Sequence, residues 1–377
     1  MSGSPSRTIA LRDRAAARRP HRIVRWLLAV SLALPAWAQA GVGIATIEVP
    51  DPVGGGQMPG YVFYPAVSPT QRTTIGPYEV AAAFDVPALP GAKPLVVISH
   101  GHGGSSLGHH DLATYLAGHG FVVATIEHPK DNFRDQSGNG QVEVMAGRPV
   151  QVAAAITALL EAPRWKPLVD PGRIGVAGFS AGGYTSLLVV GAVPRFDRFI
   201  GYCERHPKDV EICGVVRKLG AAATKDALAS LQAEFTRYGV TADPRVKAAF
   251  AMAPQSIVFD KAGLAHVDRP VFLYYGENDH VLLPSENALH IKPLLPNLDG
   301  IVMVPKADHW VFLAPCSEAL AREIGELCRD PAGVDRAQVH AQVNADALAF
   351  FRRTLGVAAI EHRDGVDGSA AAAQVGQ

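Results

Sequence analysis

Short continuous apolar runs recur along the chain, separated by turn residues and by stretches with helical spacing. Val42 to Val49 and Tyr61 to Tyr64 predict two early strands, joined by the turn-rich Asp51-Pro52-Val53-Gly54-Gly55-Gly56. Pro94-Leu95-Val96-Val97-Ile98-Ser99 shows no polar alternation, as expected of a strand covered on both faces. Phe121 to Ile126, Arg173 to Ala177, Val246 to Met252, Pro270 to Tyr275 and Gly300 to Val304 repeat that pattern. Between them lie helical stretches. His110 to Gly118 places Leu112, Tyr115 and Leu116 on one side, and Pro149 to Leu160 turns Val152, Ile156, Leu159 and Leu160 inward with Pro149 in the first turn. Tyr184 to Val190 is an apolar helical run, and Ala337 to Leu355 is an amphipathic closing helix.

Two segments depart from the rhythm. Residues 66–93 are rich in Pro, Thr and Ala and are expected to run over the surface. Residues 195–243 hold charge pairs, two cysteines and a helical run from Lys225 to Tyr238, and read as an inserted helical cap. No internal repeat is visible.

Strands alternating with helices predict an α/β domain over residues 41–355, built on a mostly parallel eight-stranded sheet with helices on both faces. Ligands in such sheets bind beyond the carboxyl ends of the strands, so chemistry is sought in the residues just after each strand. After the third strand stands His100-Gly101-His102-Gly103-Gly104, and after the fifth stands Ser180, centred in Gly178-Phe179-Ser180-Ala181-Gly182. The seventh is followed by Gly276-Glu277-Asn278-Asp279-His280 and the eighth by Ala307-Asp308-His309-Trp310.

Gly-x-Ser-x-Gly between a strand and a helix is the nucleophile elbow, which projects a serine hydroxyl from the top of a sheet. A serine, an acid and a histidine then follow in that chain order. A serine hydroxyl is a weak nucleophile until a base takes its proton. His309 is the expected base, returning the proton to the leaving group, and Asp279 is expected to orient and stabilise its imidazole. The tetrahedral oxyanion requires two aimed donors. The N–H of Ala181 supplies one, and the glycine-rich turn supplies the other through the N–H of His102.

Other assignments compete. Glu277 is the alternative acid, and Asp308 is a third candidate whose place next to His309 makes it hard to face the ring. The cluster His100, His102, His109, His110 and Asp111 raises a metallohydrolase as an alternative. Positions 104 and 105 are Gly and Ser, where an H-x-H-x-D-H site would place Asp and His. A hydrolase fold that binds without chemistry is a further reading. The glycine turn lacks the G-K-[ST] of a phosphate loop.

The ends and the composition add a compartment. Residues 1–25 carry seven arginines, followed by the apolar run Trp26 to Leu34 and the small-residue site Ala38-Gln39-Ala40. This reads as a signal peptide, residues 1–40, with secretion or export to a periplasm expected, and a membrane anchor as the alternative. The run is too short to span a bilayer. Removal of seven arginines and Asp13 from a chain with 35 basic and 35 acidic residues leaves a charge of about −6. With no basic stripe left, nucleic acid is not an expected partner. All four cysteines fall after residue 200. Export favours disulfides, and proximity pairs Cys203 with Cys213 and Cys316 with Cys328, with buried free thiols as the alternative. Residues 356–377, rich in Ala and Gly, are expected to be a disordered tail.

The elbow, the His-Gly-x-Gly-Gly turn, Gly276-x-x-Asp279 and Asp308-His309 together resemble the α/β-hydrolase superfamily. Ser99-His100-Gly101 and Gly178-Phe179-Ser180-Ala181-Gly182-Gly183 resemble its secreted branch near dienelactone hydrolases and platelet-activating-factor acetylhydrolases. Over residues 42–355 the resemblance implies that sheet fold and hydrolysis of small-molecule or lipid carboxylic esters without a cofactor. It also implies the roles stated for Ser180, Asp279, His309, His102 and Ala181. Dienelactone hydrolases proper use cysteine as nucleophile, where this chain has serine, so the substrate does not transfer.

Overall fold

Among the described residues of the computed structural model (41–209, 213 and 220–357), nine strands hydrogen-bond into one sheet. They are β1 (Gly41–Pro50), β2 (Gln57–Ala66), β5 (Ala83–Phe84), β6 (Lys93–Ser99), β7 (Val122–Ile126), β8 (Val169–Phe179), β9 (Val246–Met252), β10 (Val271–Gly276) and β11 (Leu298–Val304). Thr73–Ile75 and Tyr78–Val80, β3 and β4, form a separate hairpin. The sheet order is β11-β10-β9-β8-β6-β7-β2-β1-β5. From β7 through β11 all neighbours run parallel, while β1–β2 and β2–β7 are antiparallel.

The eight strands expected from the apolar pattern are therefore joined by a ninth. Residues 66–93 do more than cross the surface: Gly43 and Ile44 of β1 pair with Ala83 and Phe84. Two residues are too few to leave a periodic signature, which is why the pattern misses them.

The parallel strands lack alternation because both faces are covered. In β6, Leu95 and Val97 join one apolar layer, whereas Val96 and Ile98 join the other. The first layer takes Val152, Ile156 and Leu159 of helix Gly147–Glu161 and Leu187 of helix Ala181–Val189. The second takes Leu112 and Leu116 of helix His110–Gly118 and Val343 and Phe351 of helix Arg336–Thr354. Helices thus lie on both faces of a mostly parallel sheet, and the carboxyl ends of β6, β8, β10 and β11 open on one edge.

Residues 195–243 contain helices Arg198–Arg205 and Ala221–Tyr238. Phe196 and Phe235 meet edge to face at 5.7 Å and enter the first apolar layer. Arg198 Nε donates to the carbonyl of Ile257 at 3.0 Å, and Arg205 Nη2 to Glu286 at 2.7 Å, so the insertion rests on the loops that follow β9 and β10. Both expected disulfides are present, Cys203–Cys213 and Cys316–Cys328, with Cα separations of 5.5 and 5.9 Å. No helix among the described residues is long and apolar enough to cross a membrane. The expected signal peptide, 1–40, and residues 358–377 of the expected tail lie outside the described residues.

Candidate active site

The elbow forms where β8 runs into helix Ala181–Val189. Ser180 caps that helix with φ 55° and ψ −115°, a conformation a non-glycine residue adopts only under strain of about 1–3 kcal/mol. The turn is held from behind: Ser180 N–H donates to Met252 O at 2.9 Å, and Ser180 O accepts from Tyr184 and Gln255 at 3.0 and 3.1 Å. Its flanking glycines are required by close approach. A Cβ at Gly178 would lie 2.1 Å from Gly182 O, and one at Gly182 would lie 1.9 Å from Ser99 O.

The acid and the histidine come together across 30 residues. His309 Nδ1–H donates to Asp279 Oδ2 at 2.6 Å, with both side chains 1% exposed. The other oxygen, Oδ1, accepts the backbone N–H groups of Val281 and Leu282 at 3.0 and 2.7 Å. These bonds satisfy the carboxylate and fix the plane in which it meets the imidazole. Glu277, the rival acid, accepts from Lys306 N–H at 2.8 Å on the exposed side of the same loop. Asp308 caps the 3₁₀ turn His309–Phe312, accepting the N–H of His309 at 2.6 Å. The imidazole of His309 packs on Phe179, the neighbour of Ser180, with ring centroids 4.7 Å apart, and Trp310 stands edge-on to it at 5.1 Å. Among the described residues the Ser180 hydroxyl and His309 Nε2 make no hydrogen bond. Catalytic hydrogen bonds are often long in the absence of substrate and tighten in the complex.

The glycine-rich turn abuts this elbow. A Cβ at Gly101 would lie 3.0 Å from the Phe179 ring and 3.4 Å from Ser180 Cβ. Among the described residues, the amides of His102 and Ala181 donate to no protein acceptor. An oxyanion site requires donors that are not already committed to protein acceptors, a condition these two amides meet.

The metal alternative does not fit the same turn. His100 is buried and uses both ring nitrogens internally: Nδ1–H donates to Gly101 O at 2.7 Å and Nε2 accepts His128 N–H at 3.0 Å. Burial, reinforced by the nearby Arg148 cation, pushes its pKa down to about 3, so it is a neutral structural group. His102 Nδ1 faces Asp131 instead of its neighbour. His109 lies buried against Phe179 with its pKa lowered to about 4 by burial, and Asp111 pairs with His340 at 2.6 Å. His110 stands edge-on to Tyr78 with ring centroids 5.9 Å apart, so the five residues face separate neighbours.

Sequence reasoning passed over the polar array beneath the turn. Arg148, 1% exposed, donates through Nη1 to Asp131 Oδ2 at 2.8 Å, and through Nη2 to the carbonyl of His100 and to Ser99 Oγ. Ser99 Oγ also meets His128 Nε2 at 2.9 Å, and His128 Nδ1–H donates to Gln151 at 2.7 Å. A signal was available: Arg148 stands four residues before Val152, on the inward stripe of its helix, where an unpaired charge is costly.

The sequence pattern of the dienelactone hydrolase family matches residues 80–217, a stretch containing both the glycine-rich turn and the elbow. No curated protein matches the chain. Among solved structures, a ferulic acid esterase from Streptomyces cinnamoneus, determined at 2.4 Å, aligns with TM-score 0.56 and 20% identity. That alignment covers 86% of this chain and 92% of the esterase, and at such identity the likeness is one of fold.

Proposed function

We propose that this chain is a carboxylic ester hydrolase of the α/β-hydrolase superfamily that works through an acyl-enzyme on Ser180. The observation that carries the reading is the buried Asp279–His309 hydrogen bond standing beside a strained serine elbow. His309 Nε2 takes the proton from Ser180 Oγ as the oxygen attacks the ester carbonyl. The carbonyl oxygen becomes an anion facing the N–H groups of Ala181 and His102, each donor worth about 3 kcal/mol of barrier. The imidazolium, steadied by Asp279, protonates the departing alcohol. Water then repeats the sequence on the acyl-enzyme and releases the acid.

The substrate class is a short or medium carboxylic ester. The structural neighbour, a ferulic acid esterase, adds aromatic acyl esters such as ferulates to those worth testing. Two disulfides and the arginine-rich, apolar leader pattern support an exported protein, secreted or periplasmic. The 195–243 insertion, resting on the loops after β9 and β10, is assigned the role of a cap that shapes the pocket.

The test is turnover of p-nitrophenyl acetate and butyrate by wild type and Ser180→Ala, with fluorophosphonate labelling in parallel. Loss of at least a thousandfold in kcat and loss of labelling are expected. Equal rates in the two proteins would end the serine reading. An unlabelled, inactive wild type would favour a hydrolase fold that only binds.

A further inference from the structure

We infer that Arg148 and Asp131 are positioning residues that clamp the oxyanion turn, an inference that rests on the serine reading above. The clamp grips the turn on both sides of the amide assigned to the oxyanion. Upstream, Arg148 Nη2 donates to the carbonyl of His100 and to Ser99 Oγ, the latter at 3.3 Å. Downstream, Asp131 Oδ1 takes the ring Nδ1–H of His102 and the N–H of Gly103 at 3.3 Å. The two halves are joined by the Arg148 Nη1–Asp131 Oδ2 bond of 2.8 Å, between side chains 1% and 0% exposed. Within the turn itself, Gly104 N–H to Gly101 O at 3.1 Å is the backbone bond that closes it. A loop rich in glycine has no intrinsic stiffness, so its aim has to be imposed from outside.

Stability alone does not account for the pair. Two charges removed from water lose solvation that their mutual attraction recovers only with excellent geometry, and apolar replacements are often neutral or stabilising. Here the geometry is imperfect, since Arg148 Nε is buried without a partner. Burial pushes the Asp131 carboxyl up, but Arg148 and His102 outweigh it and hold the group below its ordinary range, so it stays an anion. A fixed anion can hold Gly103 N–H and the His102 ring at once, which a neutral side chain of that size does less well. An oxyanion donor must meet the developing charge within a few tenths of an ångström, and the clamp supplies that tolerance.

Two variants test the clamp: Asp131→Asn, and the double change Arg148→Met with Asp131→Leu, which removes both charges together. For each, kcat, KM, the thermal midpoint and the affinity for an aryl trifluoromethyl ketone are measured beside wild type and Ser180→Ala. The expected result is a fall in kcat of about 10- to 100-fold with KM within about threefold. The ketone, whose hemiketal oxyanion uses the same two amides, should weaken by the same factor. The double variant should keep a midpoint close to wild type, which separates aim from folding. Wild-type kcat and ketone affinity in either folded variant, with Ser180→Ala inactive, would overturn the clamp and leave the serine reading intact. Full turnover by Ser180→Ala would remove the serine reading, and the clamp with it.

Discussion

His280 Nδ1 lies 2.8 Å from Asp308 Oδ1, one residue along from the Asp279–His309 bond. Two Asp-His dipeptides, one after β10 and one after β11, are therefore cross-paired, each histidine with the other's aspartate. The two pairs differ in depth: Asp279–His309 is buried, whereas His280 is 66% exposed. Exposed pairs of this kind contribute about 0–1 kcal/mol. Asp308 has a second task, capping the turn that carries His309. His280→Ala should leave kcat within about twofold and the thermal midpoint nearly unchanged. Asp308→Ala removes a cap worth about 1 kcal/mol and frees the turn, and kcat should fall about tenfold through misplacement of the imidazole. Steady-state kinetics on both variants decide this. A larger loss from His280→Ala than from Asp308→Ala would show that the outer pair, and not the cap, orients the base.

The elbow makes a sharper prediction about packing. Helix Ala181–Val189 starts so close to β6 that Gly182 faces backbone, with a Cβ there 1.9 Å from Ser99 O and 2.8 Å from His100 O. Neither atom can yield without moving the oxyanion turn. Gly182→Ala should cost more than about 3 kcal/mol, expressed as poor soluble yield or a thermal midpoint many degrees lower. Gly172→Ala, at an exposed position of β8 where a Cβ would come no nearer than 3.3 Å to the Asp170 side chain, should be close to neutral and serves as the comparison. Comparable midpoints in the two variants would mean that the helix is not held against β6 as described.

The strands and the candidate residues at their ends were legible because burial on both faces leaves unbroken apolar runs, and because an elbow needs glycine at fixed spacing. The edge strand Ala83–Phe84 was not legible, since its partner Gly43–Ile44 is some 40 residues upstream and two residues carry no period. The site divides in the same way. Ser180, Asp279 and His309 are marked by their place after strands. Arg148 and Asp131 are joined by a loop-to-helix contact that no local spacing encodes. The same holds for His340, which the amphipathic pattern of the closing helix would place merely on its inner face.

That histidine sets a pH dependence of stability. His340 is buried, with Nδ1 2.6 Å from Asp111 Oδ2 and Nε2 2.9 Å from Val311 O. Two acceptors facing two nitrogens favour the doubly protonated ring. Burial opposes the charge, but Asp111 outweighs it and raises the pKa above its ordinary value. Asp111 in turn is held far below the carboxylate range, as His340 overcomes the cost of burial. A histidine whose folded pKa is raised adds stability that is complete below the unfolded value, about 6.5, and is lost as pH climbs through the folded one. His340→Asn should therefore cost about 3 kcal/mol near pH 6, with the gap to wild type narrowing as pH rises above neutrality. Denaturant unfolding of both proteins from pH 5.5 to 9 gives the answer. A gap that widens with pH would contradict the charged pairing.

The disulfide Cys316–Cys328 follows the His309 turn and precedes the closing helix, and it braces a segment with little core of its own. Of helix Glu318–Glu323 only Leu320 is buried. Closing a loop of this length restricts the unfolded chain by about 3 kcal/mol in the chain-entropy account. Arg336 adds a second brace, donating to Asp330 at 2.8 Å and to the carbonyl of Leu327 at 2.8 Å. Neither brace touches Ser180, Asp279 or His309. Replacing both cysteines by serine should lower the thermal midpoint by several degrees and leave kcat on p-nitrophenyl butyrate at 25 °C within about twofold. A large fall in kcat at an unchanged midpoint would show instead that the bridge holds the histidine turn in place for catalysis.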